Sequence, residues 1–78
     1  MKKIVVYGPG CPRCQSTETN VRRVVKDLGI EAEIEHIYDP NEFAKNGVVI
    51  TPAVTIDGEM KFHGKIPTID ELKALLGK

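Results

Sequence analysis

The chain lacks tryptophan, carries only two cysteines, and has no surplus of charge of either sign. Each shortage excludes something. Tyr7, Tyr38, Phe43 and Phe62 are its only aromatic residues, too few and too scattered to form a platform on which bases stack. Eleven basic side chains balance eleven acidic ones, whereas a grip on phosphates needs an excess of Lys and Arg. No nucleic-acid partner is expected. Long apolar runs are missing as well. The longest near the start, Ile4 to Tyr7, is stopped by Gly8, Pro9 and Gly10. A secretory signal needs about 7–15 apolar residues there, and a spanning helix roughly 20. No membrane partner is expected either, and the chain is read as cytoplasmic, where thiols are normally kept reduced.

What remains is an ordinary globular composition, 41% apolar and 28% charged over 78 residues. That length fits one small domain, residues 1–78, burying roughly 60% of its unfolded surface. A monomer is expected. Ile4 to Tyr7 is a continuous β-prone run, suited to a strand covered on both faces. After the Gly8-Pro9-Gly10 turn, a helix is predicted from about Pro12 to Leu28, with Cys14, Val21, Val24, Val25 and Leu28 on one stripe and Gly29 as its stop. Ile30 to Ile37 alternates, with Ile30, Ala32 and Ile34 facing one way and Glu31, Glu33 and Glu35 the other, as in a half-buried strand near a sheet edge. Asp39, Pro40 and Glu42 read as an N-cap, a first helical residue and the partner that closes a capping box. That short helix ends near Asn46-Gly47. Thr51-Pro52 precedes a strand from Ala53 to Ile56, Asp57-Gly58 signals a hairpin, and Glu59 to His63 returns. Thr68 and Glu71 form a second capping box before a helix whose buried stripe is Ile69, Leu72, Leu75 and Leu76. The order is β-α-β-α-β-β-α, an α/β class.

Cys11 and Cys14 flank Pro12 and Arg13. A disulfide between them closes a very small ring, and loop-entropy stabilisation grows with ring size, so it would be a poor staple. The spacing suits reversible chemistry instead. Cys11 stands at or just before the helix start, where unpaired N–H groups and the helix dipole favour a thiolate. Arg13 adds a positive charge nearby, and Pro12 fixes the backbone where its missing N–H does no harm. Position then assigns the roles: Cys11 attacks a substrate disulfide and Cys14, one turn inside, resolves the mixed disulfide. Half of a metal site, or two buried apolar residues, is the plainer alternative. Pro52 is either an ordinary turn residue before a strand or one that follows a cis peptide beside the cysteines. In the second case the Thr51 backbone pairs with an extended substrate while Pro52 shapes the groove.

The strand ending at Tyr7, the run Cys11-Pro12-Arg13-Cys14, and Thr51-Pro52 followed by Ala53 to Gly58 together resemble the thioredoxin/glutaredoxin superfamily. The narrower likeness is to the very short thioredoxin-like proteins of archaea and bacteria. It covers nearly the whole chain. It implies a four-stranded mixed sheet flanked by three helices, a cis bond before Pro52, and thiol–disulfide exchange on protein disulfides, with Cys11 as nucleophile and Cys14 as resolving thiol. It implies no cofactor, and a flavin-dependent thioredoxin reductase or similar protein as electron donor. Two departures stand out. Thioredoxins with the Trp-Cys-Gly-Pro-Cys motif keep a buried acid six residues before the first cysteine, where this chain has Val5. The Cys-Pro-x-Cys form is nearer to glutaredoxins, yet their Gly-Gly-acid stretch is replaced here by His63-Gly64-Lys65, so glutathione binding is not expected.

A soft-metal carrier is the rival from another class, because two thiolates suit Cu(I). Small copper-carrying domains use a β-α-β-β-α-β order, commonly with Met near the first cysteine, and neither feature occurs here. His36 and His63 are read as surface or strand-end residues, and Tyr7 as core.

Overall fold

A computed structural model describes residues 2–10 and 12–77; Cys11 lies outside the described residues. The elements are β1 (Lys2–Tyr7), α1 (Pro12–Leu28), β2 (Ala32–Ile37), α2 (Pro40–Lys45), β3 (Ala53–Ile56), β4 (Glu59–His63) and α3 (Ile69–Leu76). The strands form one sheet in the order β2-β1-β3-β4. β1 runs parallel to β2 and antiparallel to β3, and β3 runs antiparallel to β4. This is the expected thioredoxin-like α/β arrangement of a four-stranded mixed sheet with three helices.

Burial on both faces explains the unbroken apolar run Ile4 to Tyr7 of β1 and the buried residues of β3, of which only Thr55 is polar. Ile4 and Val6 of β1, with Val54 and Ile56 of β3, pack under Val21 and Val24 of α1 and Leu72 and Leu76 of α3. The alternate residues Val5, Tyr7 and Ala53 face the other side, with Val48 and the partly buried Phe43 of α2. Both faces of β1 and β3 are therefore covered, and a strand with two buried faces shows no polar alternation. At the edge, β2 buries only one face, so its glutamates alternate outward as expected.

Boundaries differ from expectation in two places, for visible reasons. β1 starts at Lys2, not Ile4, because the Lys2 and Lys3 backbones still pair with Ala32 and Glu33. β2 starts at Ala32, not Ile30, because the Ile30 N–H donates back to the Val25 carbonyl at 3.4 Å and finishes α1. The capping box proposed for Asp39 and Glu42 is half formed. Asp39 accepts from the Asn41 N–H at 2.9 Å, while the Glu42 carboxylate turns away to Lys45 at 3.4 Å. Arg22, Arg23 and Lys2 each pair with an acid, namely Glu18, Asp27 and Asp57, so these charges lie on a balanced surface.

The box on α3 is complete: Thr68 accepts from the Glu71 N–H, and Glu71 accepts from the Thr68 N–H, both at 3.1 Å. Because α3 carries Leu72 and Leu76 into the core, its first turn matters to the whole fold. Thr68→Ala is expected to cost about 1 kcal/mol and to lower the melting temperature by about 4–8 °C, as read by thermal circular dichroism.

Candidate functional site

Strand register gathers the site at one end of the sheet. Tyr7, the last residue of β1, sits opposite Ala53, the first of β3. Thr51-Pro52, just before Ala53, is thereby brought beside the turn that leads to the cysteines. Ala53 also pairs with His63 at the end of β4, and the Gly8 N–H continues the ladder to the Ile37 carbonyl of β2 at 3.0 Å. Ends of all four strands thus converge on the Gly8-Pro9-Gly10 turn.

The Thr51-Pro52 bond is cis, and Pro52 is fully buried. Its carbonyl accepts from the Gly64 N–H at 2.8 Å. Gly64 in turn offers its own carbonyl to the Arg13 guanidinium at 3.2 Å. Arg13 thus reaches across from the first turn of α1 to the chain that flanks Pro52. Arg13→Ala removes one exposed charge-assisted bond, typically worth about 1 kcal/mol. By the same conversion as for Thr68→Ala, the melting temperature is expected to fall by about 4–8 °C or less, as read by thermal circular dichroism.

Pro12 opens α1 and is exposed, whereas Cys14, two residues on and still in the first turn, is fully buried. The sulfur lies against main chain. A β-carbon added at Gly8 would overlap Cys14 Sγ and stand 2.8 Å from Cys14 Cβ. The first turn of α1 is braced by Thr17, whose buried hydroxyl donates to the Arg13 carbonyl at 2.9 Å, and by Gln15, whose side-chain amide donates to the Gly10 carbonyl at 3.1 Å. The roles assigned to Cys11 fall outside the described residues.

Sequence reasoning missed His36, Glu18 and Gly8. Far from a surface residue, His36 has a side chain only 6% exposed. Its Nδ1 meets Glu18 Oε1 of α1 at hydrogen-bond distance, and its Nε2 lies 3.0 Å from the Gly8 carbonyl oxygen. Its ring stacks on Tyr38 with centroids 3.9 Å apart. The hydrogen bond to His36, and then that to Arg22, holds the Glu18 carboxyl below the usual carboxylate range. The signal was present in the alternation: His36 continues the inward series Ile30, Ala32, Ile34. His63 also has a task, accepting at Nε2 from the Val49 and Ile50 N–H groups, each at 3.1 Å. Tyr7, as expected, is core, edge-on to Phe43. Val5 is buried opposite Thr55, so the position of the family's internal acid is apolar here.

Among the described residues, no group of three or more His, Cys, Asp or Glu is arranged to hold a metal ion, and no helix is long and apolar enough to cross a membrane. A shallow pocket bordered by Lys2, Asp57 and Lys61 opens by the β3–β4 hairpin, at the far end of β1 from Tyr7.

Residues 2–77 match the family model described as a thioredoxin domain. A protein named thioredoxin from Methanothermobacter thermautotrophicus is 41% identical over 76 residues, covering 97% of this chain and 99% of the relative. One of the same name from Methanocaldococcus jannaschii is 45% identical over 73 residues, covering 94% of this chain and 84% of the relative. A second thioredoxin from that organism is 27% identical over 73 residues, covering 90% and 85% respectively.

Proposed function

The chain belongs to the thioredoxin family and is a thiol–disulfide oxidoreductase, and from that premise we propose that it reduces protein disulfides with Cys11 as the attacking thiol and Cys14 as the resolving one. The observation that carries this assignment is the burial of Cys14 inside the first turn of α1, next to a strand register that brings Thr51-Pro52 alongside. A sulfur with no exposed surface is suited to an internal second step, which leaves the first step to Cys11.

In the first exchange, Cys11 thiolate forms a bond to one sulfur of the substrate disulfide, the substrate S–S bond breaks, and the other sulfur leaves as a thiolate and takes a proton from solvent. In the second, Cys14 gives up its proton and attacks the Cys11 sulfur. The mixed disulfide breaks, the remaining substrate sulfur leaves reduced, and the Cys11–Cys14 disulfide forms. Two electrons and two protons have passed to the substrate. A thioredoxin-reductase-type partner returns them, in the cytoplasm, to a monomeric protein. With Val5 in place of an internal acid, the protons pass through solvent or substrate.

The substrate lies as an extended segment against the Thr51 backbone. Val49 and Ile50, 83% and 56% exposed just before Thr51, supply apolar surface for it. A glutathione-dependent role is disfavoured, because both backbone groups of Gly64 are already engaged by Pro52 and Arg13.

The test is catalysed reduction of insulin disulfides, with a small dithiol as electron source. The wild type should accelerate the reaction and Cys11→Ser should abolish the acceleration. An undiminished rate in Cys11→Ser overturns the proposal. So does tight stoichiometric Cu(I) binding without reductase activity, which would assign the cysteine pair to metal carriage.

A further inference from the structure

His36 occupies an unusual position for a histidine in a sheet. Its ring is almost enclosed, and both nitrogens point at atoms that accept hydrogen bonds: a carboxylate oxygen of Glu18 and the carbonyl oxygen of Gly8. A neutral imidazole has one donor and one acceptor. Arg22 Nε donates to the other Glu18 oxygen at 2.9 Å, which fixes that carboxylate in place as an acceptor. Both contacts are therefore hydrogen bonds when the ring carries two N–H groups. Such charge-assisted bonds are the strong ones. They join α1, β2 and the end of β1 at a single ring, and Tyr38 closes one face of that ring.

The target of this grip is specific. Gly8 is the residue whose α-carbon lies against Cys14 Sγ so closely that no β-carbon fits between them. Holding the Gly8 carbonyl therefore holds the main chain that covers the sulfur. We propose that Glu18 and His36 form a positioning pair that clamps Gly8 over Cys14, and so sets both the shielding of this thiol and its alignment for the resolving step. The second half rests on the role proposed above for Cys14; the first half does not. In this arrangement both residues act through Gly8.

The shielding is read in a Cys11→Ser background, where Cys14 is the only thiol in the chain. The probe is iodoacetamide, on which the thiolate displaces iodide and forms a carbon–sulfur bond. With the clamp intact, alkylation of Cys14 is slow. His36→Phe keeps a ring to stack on Tyr38 but has no donors, and is expected to speed alkylation about tenfold. Glu18→Ala should match it, and the two changes together should add little, since they break one unit.

Glu18→Gln is the decisive conservative variant. A Gln amide can donate to Nδ1 while Nε2–H still donates to the Gly8 carbonyl, so a neutral ring keeps both bonds. Alkylation in Glu18→Gln should stay within about twofold of the starting protein. Rescue by Gln alongside loss with Ala is not what a general loss of stability produces. It also keeps the test open if His36→Phe does not fold.

Alignment is read with both cysteines present, as decay of the mixed disulfide in a rapid-quench single turnover, which His36→Phe and Glu18→Ala should slow about tenfold. Unchanged alkylation in Glu18→Ala, or equal effects of Gln and Ala, overturns the clamp. If alkylation behaves as stated but Cys14→Ser traps no adduct, the role of Cys14 has failed and the shielding stands. If Cys14→Ser does trap an adduct while adduct decay in the clamp variants matches wild type, the alignment half alone is lost.

Discussion

Cys14→Ser turns the protein from a catalyst into a trap. In the proposed mechanism the mixed disulfide is resolved by a sulfur held one helical turn away, and such prearranged groups act at effective concentrations of about 10⁵ M or more. No thiol in solution competes with that. Steady-state turnover is expected to fall about 10³-fold or further, while the first attack survives. The product is a covalent adduct whose mass equals protein plus substrate, stable on a non-reducing gel and released by a strong reductant. Serine changes one atom in a fully buried position, so the fold should tolerate it. Normal multiple turnover by this variant ends the assignment of Cys14. In a cell extract, the same variant identifies the disulfides on which the protein acts.

Gly8→Ala is expected to damage stability more than any surface change. The difficulty is space rather than backbone conformation, since the added carbon would overlap Cys14 Sγ. The sulfur is fully buried on a short side chain in a helix packed against the sheet. Overpacking of this kind costs about 1–3 kcal/mol, and the melting temperature should fall by about 4–24 °C. Gly29 provides the contrast. It has open space around its α-carbon but a φ of +64°, so Gly29→Ala carries only the smaller left-handed penalty of about 1 kcal/mol. Combining Gly8→Ala with Cys14→Ala should recover part of the loss, because removing the sulfur returns the room. If thermal melts show Gly8→Ala as stable as wild type, Gly8 is not packed on the sulfur.

Nearly all of the architecture could be read from the residues in order, because local signals and burial agree. Ile4 to Tyr7 is apolar on both faces, Ala53 to Ile56 is so except for Thr55, and both became central strands. The outward glutamates of β2 marked an edge. Thr68 and Glu71 formed their reciprocal cap. Asp39 and Glu42, with the same spacing logic, did so only halfway, because Lys45 competes for the Glu42 carboxylate. The site was legible only where chemistry is carried by sequence neighbours. Cys14 and Pro52 were named that way, and the structure shows the first buried and the second after a cis bond. Arg13 was named as a charge, but its reach to Gly64 spans 51 positions, which no local pattern encodes. The Glu18–His36–Gly8 contacts likewise join three elements. Gly8 looked like one of several turn residues, since a need for empty space leaves no mark on spacing.

The main-chain cover on Cys14 has a consequence for survival during idle periods. A thiol screened by a side chain is uncovered whenever that side chain changes rotamer, on a picosecond-to-nanosecond scale. Gly8 has no side chain to rotate. On the side that Gly8 covers, uncovering the sulfur requires the backbone itself to shift, a rarer and slower event. Peroxides that carry exposed thiols up the ladder to sulfinic and sulfonic acids should therefore find this atom last, leaving it chemically intact for the next turnover.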